Sequence, residues 1–252
     1  MGGAHRHLLL HHEGRLHRLP AQCKVAATVL FVLAVVLTPR EQFWAFGVHV
    51  ALVVAAALIG SVPLLIVARR LVIEVPFLLF AVFLPIVGQG PRVDVLWFSL
   101  SEAGLWAAWN IVAKGTIGVA ASIVLASTTS VPQLLAGLER LRVPRVMVAI
   151  AGFMVRYGDV IADEVRRMRI ARESRLGGGG RAGQLRALAT TAGALFVRSY
   201  ERGERVYLAM ESRGYAGSMP VRGVAASNLS WVVCLAWPVM AAFVTVVALA
   251  VG

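Results

Sequence analysis

Residues 229–251 read LSWVVCLAWPVMAAFVTVVALAV, twenty-three residues without one Asp, Glu, Lys or Arg. A helix rises ~1.5 Å per residue and the hydrocarbon core of a bilayer is ~30 Å thick, so about 20 such residues cross it. Working outward from this run, four more qualify. They are Val25–Leu37, extended at its inner end by Pro20–Lys24, then Phe43–Ala68, Leu71–Gly88 with Pro76 and Pro85 inside it, and Leu105–Ser127. Trp44, Trp97, Trp106, Trp109, Trp231 and Trp237 lie in or close to the ends of these runs, where an amphipathic ring meets headgroups. The pattern predicts an all-α integral membrane protein with five transmembrane helices.

Composition agrees. The chain has 252 residues, 58% hydrophobic and 15% charged, with mean hydropathy +0.75. A soluble chain averages roughly 45–50% apolar and about 25% charged residues, and a core of this size could not hide the excess. A soluble enzyme and a disordered tail are both excluded. The two cysteines, Cys23 and Cys234, sit inside apolar runs, which rules out a disulfide framework and a cysteine-rich zinc module. Lys+Arg outnumber Asp+Glu by 25 to 13, a net charge of +12. If the N-terminus is cytoplasmic, 22 of those 25 basic residues fall on one side, including Arg69 and Arg70 in a short loop between the second and third runs. Five crossings then leave the C-terminus outside. The N-terminal segment is not expected to be a signal peptide, because its apolar run begins beyond residue 20, has no small-residue cleavage site and leads into further spans. His5, His7, His11, His12 and His17 read as a short solvated tail, since no Cys or carboxylate pattern accompanies them, with a metal-binding tract the alternative.

The domain plan is four spans in residues 1–130, a cytoplasmic block in 131–228 and a last span in 229–252. The block carries 16 Arg against 8 Asp+Glu and reads as helical throughout. Val131-Pro132 opens a short helix to Leu141, and Val143-Pro144 opens a second to about Arg175. Four glycines, Gly177–Gly180, end that one. A third runs from about Gly183 to Arg213, closed by Gly214 and Gly217. Both long helices are amphipathic. Tyr157, Ile161, Val165 and Met168 share one stripe, with Asp163–Arg167 an expected i,i+4 pair off it. Leu185, Leu188, Leu195, Phe196, Ser199, Val206 and Met210 form the other stripe.

The two long helices end alike, in Ala171-Arg172-Glu173-Ser174-Arg175 and Ala209-Met210-Glu211-Ser212-Arg213-Gly214, so that Glu-Ser-Arg recurs 38 residues apart. Arginine at a C-terminal turn opposes the helix dipole, worth about 0.3–1 kcal/mol. A second reading is a docking plug, a guanidinium on a helix tip pairing with an acidic groove of a two-subunit partner.

Here the sequence resembles a family. Arg156-Tyr157-Gly158-Asp159-Val160, Asp163-Glu164-Val165-Arg166-Arg167-Met168, the run Leu195 to Val206 and Ala209 to Tyr215 are similar to the transmembrane (T) component of energy-coupling-factor (ECF) transporters, CbiQ type. The resemblance implies a non-catalytic subunit for cobalt uptake, supporting cobalamin biosynthesis, with no cofactor or metal site of its own. It implies two ABC-type ATPase subunits as partners. A substrate-capture membrane subunit, CbiM-like and accompanied by a small accessory subunit, would complete the complex. In such proteins Ala-Arg-Gly-like signatures end the coupling helices, and each Arg docks into one ATPase. Ser174-Arg175-Leu176 and Ser212-Arg213-Gly214 stand in those places, flanked by Arg172, Glu173 and Glu211. The first departs from the pattern in having Leu176 where a small residue is usual.

Three polar groups fall inside spans. Lys114 has Asn110 one turn earlier, and an ionisable group at such depth costs roughly 2.5–3.5 kcal/mol and needs a partner. Glu74 of the third span is one candidate, as an internal pair that fixes helix packing; an inter-subunit contact or a place in an ion path is the other reading. Glu74-Val75-Pro76 also marks a proline kink. Gly177–Gly180 lacks the strand and Gly-Lys-Ser/Thr of a phosphate loop. The basic block satisfies the positive-inside bias and lipid headgroups, not nucleic acid. The alternatives are the same scaffold serving nickel or a vitamin, and a membrane sensor or enzyme with lipid- or partner-binding helices.

Overall fold

The computed structural model describes residues 15–88, 91–95, 98–175, 181–215, 217 and 226–251. Its helices are α1 (Ala21–Leu37), α2 (Phe43–Ile59), α3 (Leu64–Arg70), α4 (Val75–Val87), α5 (Glu102–Thr128), α6 (Val131–Arg140), α7 (Arg145–Arg175), α8 (Arg181–Glu211) and α9 (Asn228–Val251). One antiparallel hairpin, β1 (Arg92–Val95) with β2 (Phe98–Ser101), interrupts the helical chain between α4 and α5. Among the described residues, three segments are long and apolar enough to cross a bilayer: Leu64–Val87, Glu102–Thr128 and Asn228–Val251. The apolar helices α1 and α2 are shorter, at 17 residues each. Together with the family reported below, they place the chain in a membrane.

The second apolar run is not one helix. Pro63 lacks an amide hydrogen and disfavours helix at Val62, and the chain turns at Gly60–Val62. Ser61 takes a left-handed φ of 54°. Its N–H bonds Leu58 O at 3.0 Å, while Val62 N–H bonds Ala57 O at 2.8 Å, which closes α2 with a Schellman-type cap. Residues 64–68 therefore belong to the next rod, and Arg69 and Arg70 lie within a helix rather than in a loop; Arg70 donates to Ser127 Oγ at 2.7 Å. A 3-10 turn, Leu71–Glu74, joins α3 to α4 and leaves Pro76 in the first turn of α4, the expected irregularity. Trp237 departs from the interfacial pattern, because it packs on Phe31 inside the bundle at 6.0 Å. Trp106 and Trp109 keep to it, clustering with Phe43 and under Arg40.

Contacts divide the described chain into two compact units, residues 142–215 and residues 15–141 with 226–251. In the larger unit, Gly104 allows α5 to touch α4, since a Cβ there would stand 2.5 Å from Leu84 O. Phe31, Val35, Phe46, Val53, Ile117 and Val124 are central to the apolar core. The chain's only two lysines work reciprocally across the antiparallel α1 and α5. Lys24 of α1 donates to Thr128 O at the end of α5 (2.8 Å), and Lys114 of α5 donates to Val36 O near the end of α1 (2.7 Å). Each ammonium meets carbonyls that a helix terminus leaves unpaired, at the negative end of its dipole. A second polar node joins three helices: Thr38 Oγ1 lies 3.1 Å from both His49 Nε2 and Thr245 Oγ1, and Thr245 donates to Ala34 O.

Candidate coupling site on the two long helices

In the smaller unit, α7 and α8 pack on each other through one carboxylate. Glu164, nearly buried, receives Arg198 Nη1 on Oε1 at 3.2 Å and Arg202 Nη2 on Oε2 at 3.1 Å. Two guanidinium groups one turn apart on α8 thus clamp one acid of α7, a charge-assisted geometry that fixes the register of the crossing. Beyond the clamp the helices enclose a groove of about 420 Å³, lined by Phe153, Tyr157 and Ile161 from α7 and Ser199, Val206 and Met210 from α8. The inward stripe of α7 therefore runs through Glu164, not Val165, which is 43% exposed. On α8, Leu195, Ser199, Val206 and Met210 keep their expected half-buried positions, whereas Leu185, Leu188 and Phe196 lie exposed. The expected Asp163–Arg167 pair is absent among the described residues; both side chains are exposed, where such a pair gains little.

The two helix ends are built alike. Ser174 donates its hydroxyl to Ala171 O at 3.0 Å and Ser212 donates to Ala209 O at 3.1 Å, so both hydroxyls are spent on their own helix. The preceding acids are held one turn back, Glu173 by Arg169 at 2.8 Å and Glu211 by the Tyr207 hydroxyl at 3.0 Å. The bond from the Arg169 guanidinium holds the Glu173 carboxyl below its usual range, and the bond to Glu211 pushes the Tyr207 phenol up. Arg172 is half-buried and Arg175 is the last residue of α7; Leu176 and Gly177–Gly180 lie outside the described residues, as do His5, His7, His11, His12 and Trp97.

The end of α8 is a Schellman cap. Tyr215 N–H bonds Met210 O at 3.0 Å, Gly214 N–H bonds Glu211 O at 2.9 Å, and Gly214 takes φ 84°. Only glycine adopts that conformation without strain. Arg213 is thereby set at the C-cap, exposed, and its guanidinium has no hydrogen-bond or ion-pair partner among the described residues. The polar groups in the apolar unit are arranged differently from the expected pair. Lys114 meets Val36 O rather than Glu74, and Glu74 is buried beside Gly115. Asn110 Oδ1 is buried and without a partner among the described residues.

The CbiQ family model, described as cobalt transport protein, matches residues 12–224. The chain belongs to the CbiQ cobalt transport family. It is 30% identical over 210 residues to the cobalt transport protein CbiQ of Rhodobacter capsulatus, covering 83% of this chain and 84% of that one. It is 27% identical over 219 residues to the energy-coupling factor transporter transmembrane protein EcfT of Bacillus selenitireducens, 80% of each chain. A fused cobalt transport protein CbiMQ of Methanocorpusculum labreanum is 28% identical over 145 residues, 55% of this chain and 24% of that one. This CbiQ-type chain is a T component of ECF transporters, a membrane component of cobalt transport. Within that assignment, the sequence pattern missed the Glu164 clamp. Its signal was present, since 157, 161, 164 and 168 follow helical spacing, but a carboxylate reads as a solvated residue until its partners on α8 are known.

Proposed function

We propose that this chain transmits the closure of two ABC-type ATPases to a substrate-capture membrane subunit, driving cobalt import. The observation that carries this reading is the Arg213 guanidinium, without a partner among the described residues and presented on a glycine-capped helix tip whose serine and acid already have intrahelical partners. Ser174 and Glu173 at the end of α7 likewise have intrahelical partners, and Arg175 follows them in sequence. Each Arg enters an acidic groove of one ATPase, with Ser174, Ser212 and Gly214 shaping the tip and Arg172, Glu173 and Glu211 bracing it. Two rods clamped at Glu164 move as one lever, so displacement at the tips reaches the other end of the pair. ATP hydrolysis belongs to the partners. The relative named CbiMQ joins a CbiM part to a CbiQ part, which supports a CbiM-like capture subunit beside this chain.

The chain crosses the cell membrane five times, with four spans in 1–130, one in 229–252 and 131–228 as the cytoplasmic coupling block. Its N-terminus is inside and its C-terminus outside, as the arginine distribution favours. The test is co-expression with the ATPase pair and the capture subunit, followed by ATP-driven uptake of radioactive cobalt into vesicles. The expected result is uptake that requires this chain and resists competition by nickel; uptake of nickel or a vitamin in place of cobalt would reassign the cargo.

A further inference from the structure

A groove of about 740 Å³ runs along α5, walled by Val32 and Val36 of α1 and by Ile73, with Lys114, Gly118 and Ser122 on its floor. Glycine inside a helix costs about 1 kcal/mol relative to alanine, so each one requires a reason. Gly104 and Gly115 have one within the chain, since a Cβ would stand 2.5 Å from Leu84 O and 2.6 Å from Glu74 Oε1 respectively. Gly118 has none: a Cβ there would meet only Val32 Cγ1, at 3.9 Å. Its bare backbone opens to the groove, and Ser122 and Ala126 continue the small face at four-residue spacing, the pattern over which two membrane helices approach closely.

Two polar groups point to the same occupant. Val36 O takes one of the three ammonium hydrogens of Lys114, but a carbonyl dipole does not neutralise a full charge. Among the described residues no carboxylate lies within 4.0 Å of that ammonium. Asn110 Oδ1, one turn away and also lining the groove, is buried and lacks a donor among the described residues. Lys114 stands eight residues, ~12 Å, inward from Trp106, whose stacking with Phe43 beneath Arg40 marks the interface. That depth lies below the headgroups, which argues against a lipid phosphate. A two-fold contact between copies of this chain would set Lys114 against Lys114.

We propose that this groove seats a transmembrane helix of the substrate-capture subunit, packed over Gly118 and Ser122 with a carboxylate against Lys114. The proposal rests on the functional reading above and names the surface that its membrane partner uses. The experiment copurifies tagged full-length chain with the co-expressed ATPases and capture subunit. Gly118→Ala serves as a folding control and Gly118→Leu and Lys114→Glu as the tests. The expected result is wild-type recovery of every subunit with Gly118→Ala. Gly118→Leu and Lys114→Glu each lose the capture subunit about tenfold or more and still hold the ATPases. A Ser122→Cys chain crosslinks to the capture subunit in vesicles. Wild-type recovery of the capture subunit by both test variants overturns the proposal, as does a Ser122→Cys crosslink to a second copy of this chain or to a lipid probe alone. Failure of the coupling reading is separable, because it appears as loss of nothing when Arg213 is changed.

Discussion

Arg213→Glu strips the ATPase pair from the purified complex while the chain still inserts into the membrane at the wild-type level. Arg213 stands exposed on a Schellman cap, and its guanidinium makes no hydrogen bond or ion pair among the described residues, so the substitution breaks no polar contact among them. What it removes is a central arginine anchor of an interface, a loss of roughly 2–4 kcal/mol, and it puts a like charge into an acidic groove. Copurification should fall by about a hundredfold. Arg213→Lys keeps the charge but not the bidentate fork and recovers part of the binding. Recovery of the ATPases at the wild-type yield by Arg213→Glu would show that the α8 tip is not their seat.

Glu164→Ala uncouples ATP hydrolysis from transport. The acid is 11% exposed and binds two arginines, of which Arg202 is 34% and Arg198 is 61% exposed. Removing it leaves two cations one turn apart beside an apolar groove, a cost of order 1–3 kcal/mol at the crossing, reduced at the Arg198 side by solvent. The helix tips remain intact, so the ATPases stay bound and hydrolyse ATP. Cobalt uptake per ATP should fall about tenfold because the two rods no longer move together. Exchanging the charges, Glu164→Arg with Arg202→Glu, restores a pair and with it part of the uptake. Unaltered uptake in Glu164→Ala would mean that the clamp has no part in transmitting motion.

The membrane class was legible because nothing else accommodates a run such as residues 229–251, and the long helices were legible because Pro144 and Gly214 punctuate them. The break at Gly60–Pro63 was less so. Hydropathy does not change across it, and the turn depends on Ser61 taking a left-handed conformation that its residue type does not announce. The lysines show the limit more sharply. Lys114 carried a clear signal of needing a partner, yet its partner is a backbone carbonyl at the end of α1, which only the antiparallel alignment of α1 with α5 supplies. Glu173, Ser174, Glu211 and Ser212 were recognisable as a repeat from spacing, whereas their intrahelical bonds, which leave Arg213 as the uncommitted group, required atomic positions. The node of Thr38, His49 and Thr245 left no trace in the sequence, because its members are separated by up to 207 residues.

The most direct measurement of the central claim places single cysteines at Ser174 and Ser212 and records crosslinks in native vesicles holding the complete transporter. Both positions are exposed, while Cys23 and Cys234 are buried, so the introduced thiols are the reactive ones. Each cysteine is predicted to crosslink to an ATPase subunit, with the yield changing when ATP closes the pair. Crosslinks that reach other chains or lipid but never an ATPase would contradict the account.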